Sequence, residues 1–160
     1  MEAWHDFWVA QVGASAALAG LLFVSISINL TKILSEPALP DRAAIPFILL
    51  LGILISCSLL LAPDDSDYWG GIQILICGLA IWGIVTYLDI ARIRKSDKHY
   101  WSSEPLRLIL TQASSLPYII AGILLMTGDL SGLNWVLVAA ITSFVKSFSD
   151  AWVLLVEINR

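Results

Sequence analysis

The sequence is poor in charged residues. Asp, Glu, Lys and Arg together make up 14% of its 160 residues, whereas soluble globular domains carry about 25%. Hydrophobic residues make up 58% of the chain, and its mean hydropathy is +0.82. This composition excludes intrinsic disorder, which requires low hydrophobicity and high net charge. It indicates a protein that resides in a lipid bilayer.

Residues that ligate metals or perform catalysis are also scarce. The chain has two histidines, and both lie outside the long apolar stretches, so no intramembrane histidine pair is present for haem, copper or zinc. It has no Walker loop, nucleophile elbow or metalloprotease motif. Its net charge of -4 argues against nucleic acid as a partner. We therefore predict no catalytic residues, metal, cofactor or nucleic-acid partner, and an intramembrane enzyme is the least favoured function.

The two cysteines leave two alternatives open. Cys57 and Cys77 fall in adjacent apolar stretches, at depths that differ by about one helical turn, so a disulfide between them is geometrically conceivable. The alternative is a pair of buried free thiols that act as small apolar residues. The sequence favours the free thiols.

Five apolar stretches are long enough to cross a membrane. A spanning helix needs roughly 20 apolar residues, because it crosses about 30 Å of hydrocarbon at 1.5 Å per residue. The stretches cover residues 7–31, 43–62, 69–91, 105–127 and 133–156. They are continuous rather than alternating, which excludes a β-barrel. We predict an all-α integral membrane protein, with residues 1–160 forming a single transmembrane domain that is a bundle of five helices.

Two local features refine this bundle. Pro117 lies inside the fourth stretch, where a proline removes one helical hydrogen bond, so we expect a kink that neighbouring helices support. Residues 128–132 form a turn that is short enough only for an antiparallel helix hairpin.

Lysine and arginine are missing from one set of loops. The N-terminus and residues 64–67 and 128–132 contain neither. The loops after the first and third helices and the C-terminus contain Lys32, Arg42, Arg92, Arg94, Lys95, Lys98, Arg107 and Arg160. Because basic loops stay on the cytoplasmic side, we predict that the N-terminus is outside and the C-terminus is cytoplasmic.

One basic loop also has the composition of a lipid-contact site. Arg92, Arg94, Lys95 and Lys98 precede Tyr100 and Trp101. Basic and aromatic residues at this position suit anionic lipid headgroups, with about 1 kcal/mol for each basic residue. The alternative is that the loop only anchors the topology.

The fifth helix carries two ionisable residues deep in the bilayer. Lys146 lies close to its midpoint and Asp150 follows one turn later, so both share one face. Such residues mark functional sites by default, because they are expensive in hydrocarbon. The same depth of the predicted cytoplasmic half also holds Asn29, Gln112, Ser115 and Ser143. One hypothesis is a cytoplasm-facing polar cavity in a homo-oligomeric channel or transport-type protein, with these residues along the pathway.

The alternative is that these polar groups form a hydrogen-bonded plug that fixes helix register. The chain would then be a non-catalytic regulatory, accessory or assembly-dependent effector protein that acts through helix contacts. The first helix offers a surface for this, because Gly13 and Ala17, and Ala16 and Gly20, form overlapping pairs of small residues that let another helix approach closely. We expect self-association under either hypothesis.

The first helix also carries a resemblance to known proteins. Residues 13–29, GASAALAGLLFVSISIN, resemble the opening of small multi-pass bacterial inner-membrane proteins of uncharacterised function. The resemblance covers this helix and the general layout of the chain. It implies a prokaryotic inner membrane, and it transfers no activity and no site residue.

Overall fold

The helices follow the predicted stretches closely. The structure, a computed structural model, describes residues 2–35, 39–62, 67–95 and 104–158. These residues form α1 (Glu2–Ile28), α2 (Leu30–Ser35), α3 (Leu39–Leu61), α4 (Asp67–Lys95), α5 (Glu104–Met126) and α6 (Gly132–Ile158). None of the described residues is in a strand, and all helices except α2 are long and apolar enough to span a membrane. The all-helical class and the five candidate spans are therefore confirmed.

Several boundaries differ from the predicted ones, and the difference is informative at two of them. α1 ends before Asn29, whose side-chain amide donates to the carbonyl of Ser25 at 3.0 Å, and α2 continues the chain beyond it. Side chains of this kind compete with the backbone for hydrogen bonds and interrupt helices. α3 begins at Leu39, earlier than the predicted start at residue 43, and Asp41 therefore lies within its first turn. A carboxylate at that position stabilises the helix N-terminus.

Four of the long helices form a closed ring. α3 packs against α4 and α6, and α5 packs against the same two helices. α1 lies outside this four-helix ring and packs mainly against α3. Only 17% of the residues in the most apolar stretch of α1 are buried, against 33–44% in the other four spans. Most of α1 therefore faces the surroundings of the chain.

We call the end of the bundle at which α1 begins the outer end and the opposite one the inner end, after the predicted orientation. That orientation itself stays a prediction. At the inner end, Ile33 of α2, Ala43 of α3 and Leu154 of α6 form a small apolar cluster of their own. This cluster holds the end of α1 and α2 against the ring.

The contact between α4 and α5 depends on glycine. A Cβ atom added at Gly78 would lie 2.9 Å from the Cβ of Tyr118, and one added at Gly122 would lie 2.6 Å from the Cα of Leu75. Real Cβ atoms do not approach so closely, so the two helix backbones meet where side chains are absent. The sequence indicates small-residue packing for the first helix alone and does not reveal this contact.

The turn between α5 and α6 has the predicted hairpin geometry. Gly128 adopts a positive φ of 80°, and its N–H donates to the carbonyl of Leu125 at 3.0 Å, while the N–H of Asp129 donates to that of Leu124 at 3.1 Å. These two bonds close α5 in a Schellman motif. The Asp129 carboxylate accepts the backbone N–H of Ser131 at 2.8 Å, which holds the pKa of Asp129 below its ordinary value.

A substitution at Gly122 tests the close approach of α4 and α5. We expect Gly122→Ala to destabilise the fold by about 1–3 kcal/mol, the usual cost of overpacking, because its Cβ would meet the Leu75 backbone. Thermal unfolding in detergent measures this effect. Gly83→Ala is the matched control, since no heavy atom of the described residues lies within 4 Å of a Cβ at Gly83. Equal stability of the two variants would contradict the assignment.

Candidate functional site

Lys146 and Asp150 form an ion pair on α6. The Lys146 Nζ donates to the Asp150 carboxylate, across the one-turn spacing that the sequence indicated. The Lys146 side chain is 4% exposed and that of Asp150 is 19% exposed. The pair thus runs from the inside of the bundle towards its surface, with the cation at the buried end.

The hydroxyls next to the pair bind the neighbouring helices. Ser143 donates to the backbone carbonyl of Ser114 in α5 at 3.1 Å. Ser147 donates to the backbone carbonyl of Pro46 in α3 at 3.2 Å. All of these serines are buried. The polar face of α6 is therefore turned into the four-helix ring, where it holds α6 to both neighbours.

A hydroxyl of α6 lies next to the carbonyl that Pro117 leaves without a donor, while the predicted kink and its support stay a prediction. Because a proline has no N–H, the carbonyl of Ala113 one turn earlier loses its donor within α5. The Thr142 hydroxyl of α6 lies 3.3 Å from this carbonyl and 2.7 Å from the carbonyl of Val138 in its own helix. A hydroxyl has one proton and serves one acceptor at a time. α5 continues as a helix through Pro117.

Two other predicted pathway residues, Ser115 and Asn29, donate hydrogen bonds to nearby backbone carbonyls. Ser115 is buried, and its hydroxyl donates to the carbonyl of Thr111 within α5 at 2.9 Å. Asn29 donates to the Ser25 carbonyl of α1 at 3.0 Å. Of the four polar residues proposed around the ion pair, only Ser143 lies on the same helix as Lys146. Its hydrogen bond is the one to the Ser114 carbonyl.

Gln112 joins α5 to α4. Its Oε1 accepts the indole N–H of Trp82 at 2.7 Å, and its Nε2 donates to the Thr86 hydroxyl at 3.2 Å. Both of these partners belong to α4, whereas the ion pair belongs to α6. The sequence predicts the depth of Gln112 in the bilayer, but depth does not determine the side of the helix on which a residue lies.

A third ionisable side chain is buried in the ring. Asp89 of α4 is 1% exposed. The sequence places Asp89 among the polar residues of the predicted cytoplasmic half, but Asp89 is not one of the pathway candidates. The signal that could have identified it was a single carboxylate within an otherwise apolar helical stretch, which is expensive in hydrocarbon.

The small residues of α1 face away from the bundle. Gly13, Ala16, Ala17 and Gly20, which together we call the small-residue face, are all exposed. A Cβ added at Gly13 or Gly20 would have no heavy atom of the described residues within 4 Å. α1 instead uses another face for its intramolecular contacts, on which Trp8, Ser15, Ala19 and Leu22 are buried.

The proposed lipid-contact residues belong to a part of the chain whose side chains are not described. Arg92, Arg94 and Lys95 are in α4, but their side chains are outside the described set. Lys98 lies outside the described residues. Contact of these four residues with anionic lipid stays a prediction.

No metal centre is found among the residues that the structure describes. These residues contain no cluster of three or more His, Cys, Asp or Glu side chains that could hold an ion. Cys57 and Cys77 are free thiols, as the sequence favours, but only Cys57 is buried, and Cys77 is half-buried. No known protein family, curated protein or solved structure matches the chain. Its function therefore has to be inferred from the geometry.

A double-mutant cycle tests whether the ion pair is structural. We expect Asp150→Asn to cost about 3 kcal/mol or more, because removing one partner leaves a buried charge uncompensated. Lys146→Met combined with Asp150→Asn should recover most of this loss, since no charge then remains. Thermal unfolding of the parent and the three variants in detergent measures the coupling. Additive effects of the two single substitutions would show that the pair contributes no mutual stabilisation.

Proposed function

We propose that this chain is a non-catalytic membrane component that works as an assembly, in which α1 binds a second copy of the chain. The observation that carries the proposal is the small-residue face of α1, which is exposed along its whole length. We place the assembly in the cell membrane of a prokaryote, because of the resemblance of residues 13–29.

The rest of the chain shows how it uses glycine in helix contacts. A Cβ at Gly52, Gly71, Gly78, Gly122 or Gly132 would lie within 3 Å of an atom of a neighbouring helix. Gly13 and Gly20 have no such neighbour among the described residues, and the same is true of Gly70 and Gly83 in α4. Only Gly13 and Gly20, however, share one exposed helix face with Ala16 and Ala17. In lipid, a face of small residues favours association because it lets two backbones approach closely.

A second copy fits this face for reasons of symmetry and chemistry. The face contains only Gly and Ala, so a partner has no charge to neutralise. Two copies of one such face complement each other around a two-fold axis, which is the commonest symmetry of oligomers. The contact would also bury part of the span that is least buried within the chain.

The state of the polar residues supports a non-catalytic role. The Lys146 ammonium is paired with Asp150, and the hydroxyls of Ser143 and Ser147 donate to backbone carbonyls of neighbouring helices. These are the bonds expected of a structural plug, in which polar groups stabilise helix contacts.

Association in membranes tests this proposal. We expect Gly20→Leu to weaken self-association at least about tenfold, equivalent to 1.4 kcal/mol, because the leucine keeps the two α1 helices apart. The monomer should fold as before, since a Cβ at Gly20 meets no atom of the described residues within 4 Å. Energy transfer between donor-labelled and acceptor-labelled copies in vesicles measures the association.

Gly83→Leu is the matched control for this experiment. Gly83 is equally open but belongs to α4, away from the small-residue face, so association should stay at the parent level. A monomeric parent, or equal association of parent and Gly20→Leu, would disprove the proposed contact.

Transport through a polar inner-half cavity is the second candidate function. The observation that favours it is the unequal burial of the ion pair. The ammonium is buried, whereas the carboxylate is 19% exposed, so the pair connects the bundle interior to its surface. A charge pair in this position is typical of ion and proton pathways.

Ion flux into proteoliposomes separates the two functions. Under the assembly function, vesicles with the parent, Lys146→Met or Lys32→Met protein should all match protein-free vesicles. Lys32 is the control because it is an exposed lysine on α2. Flux that appears with the parent, is lost in Lys146→Met and persists in Lys32→Met would assign the transport function.

A further inference from the structure

A cavity of about 220 Å³ lies where α1, α3 and α6 meet. Its wall is formed by Leu18, Leu22 and Ser25 of α1, Leu50 of α3, and Phe144 and Ala151 of α6, among others. We call it the α1–α6 groove. It exists because α1 rests on α3 and makes little contact with α6, so a slot remains between the two helices.

The groove opens towards the surroundings of the bundle. Leu21 of α1 and Phe148 of α6 also line it, and these side chains are 67% and 68% exposed. Both helices are long and apolar enough to span a membrane. The opening therefore faces lipid, and lipid molecules have direct access to the groove.

The lining selects an apolar occupant. It contains no charged side chain, and its polar side chains are Ser25 and Ser147. The Ser147 hydroxyl already donates to the Pro46 carbonyl at 3.2 Å. A polar ligand would lose its hydration at a cost of a few kcal/mol for each unpaired group. A hydrocarbon ligand has no polar group and incurs no such desolvation cost. Apolar protein cavities of about 150 Å³ bind small hydrocarbons.

The shape of the groove selects a single chain. Its lining extends from Leu18 to Ser25 on α1 and from Phe144 to Leu155 on α6, which corresponds to roughly 10 Å and 16 Å along the helix axes. A groove of this length and a volume of about 220 Å³ can hold one extended hydrocarbon segment, since smaller apolar cavities already hold small hydrocarbons.

We propose that the α1–α6 groove is a binding site for one acyl chain of a membrane lipid. The chain lies parallel to the helices, between α1 and α6, with Leu50 of α3 beneath it. The site shares no residue with the small-residue face of α1. The same hydrocarbon chemistry is present in phospholipids and in free fatty acids, and the experiment distinguishes these two sources.

Photolabelling in vesicles tests the site. The probes are a phosphatidylglycerol and a free fatty acid, each with a diazirine in its acyl chain. We expect the label to concentrate on residues 18–25 and 144–155, with one adduct per protein. The probe that gives this adduct identifies the source of the chain. Adducts spread evenly over all lipid-exposed helices would show ordinary bulk lipid and overturn the proposal.

Variants that fill the groove provide the second arm. Ala151→Phe should abolish the groove adduct, because its ring occupies the space of the acyl chain. Ser25→Phe fills the groove from the opposite wall and should have the same effect, so it replaces Ala151→Phe if that variant does not fold. Ala80→Phe is the matched control, since Ala80 is an exposed alanine on α4, and it should keep the adduct. Retention of the groove adduct in a folded filling variant, or a covalent link to a second copy through the groove, would overturn the assignment.

Discussion

The structure depends on one constraint, which is that the hydrocarbon of a bilayer contains no water. Each polar group there has to form its hydrogen bonds within the protein. α6 carries more polar residues than any other span, and its position follows from this constraint. Its hydroxyls reach the carbonyls of Ser114 on one side and Pro46 on the other, while Lys146 is neutralised within the helix by Asp150. α6 therefore lies between α3 and α5, and the four-helix ring closes around its polar face.

The two prolines inside the spans belong to the same arrangement. Pro117 deprives the Ala113 carbonyl of its donor, and Thr142 lies 3.3 Å from that carbonyl. Pro46 interrupts the hydrogen bonding of α3 near its start, and its own carbonyl accepts the Ser147 proton. Each proline thus lies where α6 presents a hydroxyl. Only at Pro117 does the hydroxyl lie next to the carbonyl that the proline deprives of its donor, because Pro46 removes the donor of the Arg42 carbonyl and not of its own.

The sequence predicts the helices well because length and apolarity are local properties. It also predicts the spacing of Lys146 and Asp150 and the need for support at Pro117. It does not predict which helices are neighbours, because lipid and protein interior are equally apolar, so the side of a helix that faces the core leaves little trace in its composition. For that reason the sequence groups Gln112 with the ion pair, although Trp82 and Thr86 bind it to α4. The sequence also does not reveal the glycine contact of α4 and α5.

The peripheral position of α1 explains why this chain has two different open surfaces. Trp8, Ala19 and Leu22 fix α1 on α3, so the rest of its circumference is left to the bilayer. The side next to α6 is a narrow apolar slot, for which we propose a flexible hydrocarbon chain. The side with Gly13 and Gly20 carries no side chain larger than a methyl group, so a flexible lipid gains few contacts there, whereas a rigid helix gains many. The difference in shape is therefore the reason why we propose a lipid for the first surface and a helix for the second.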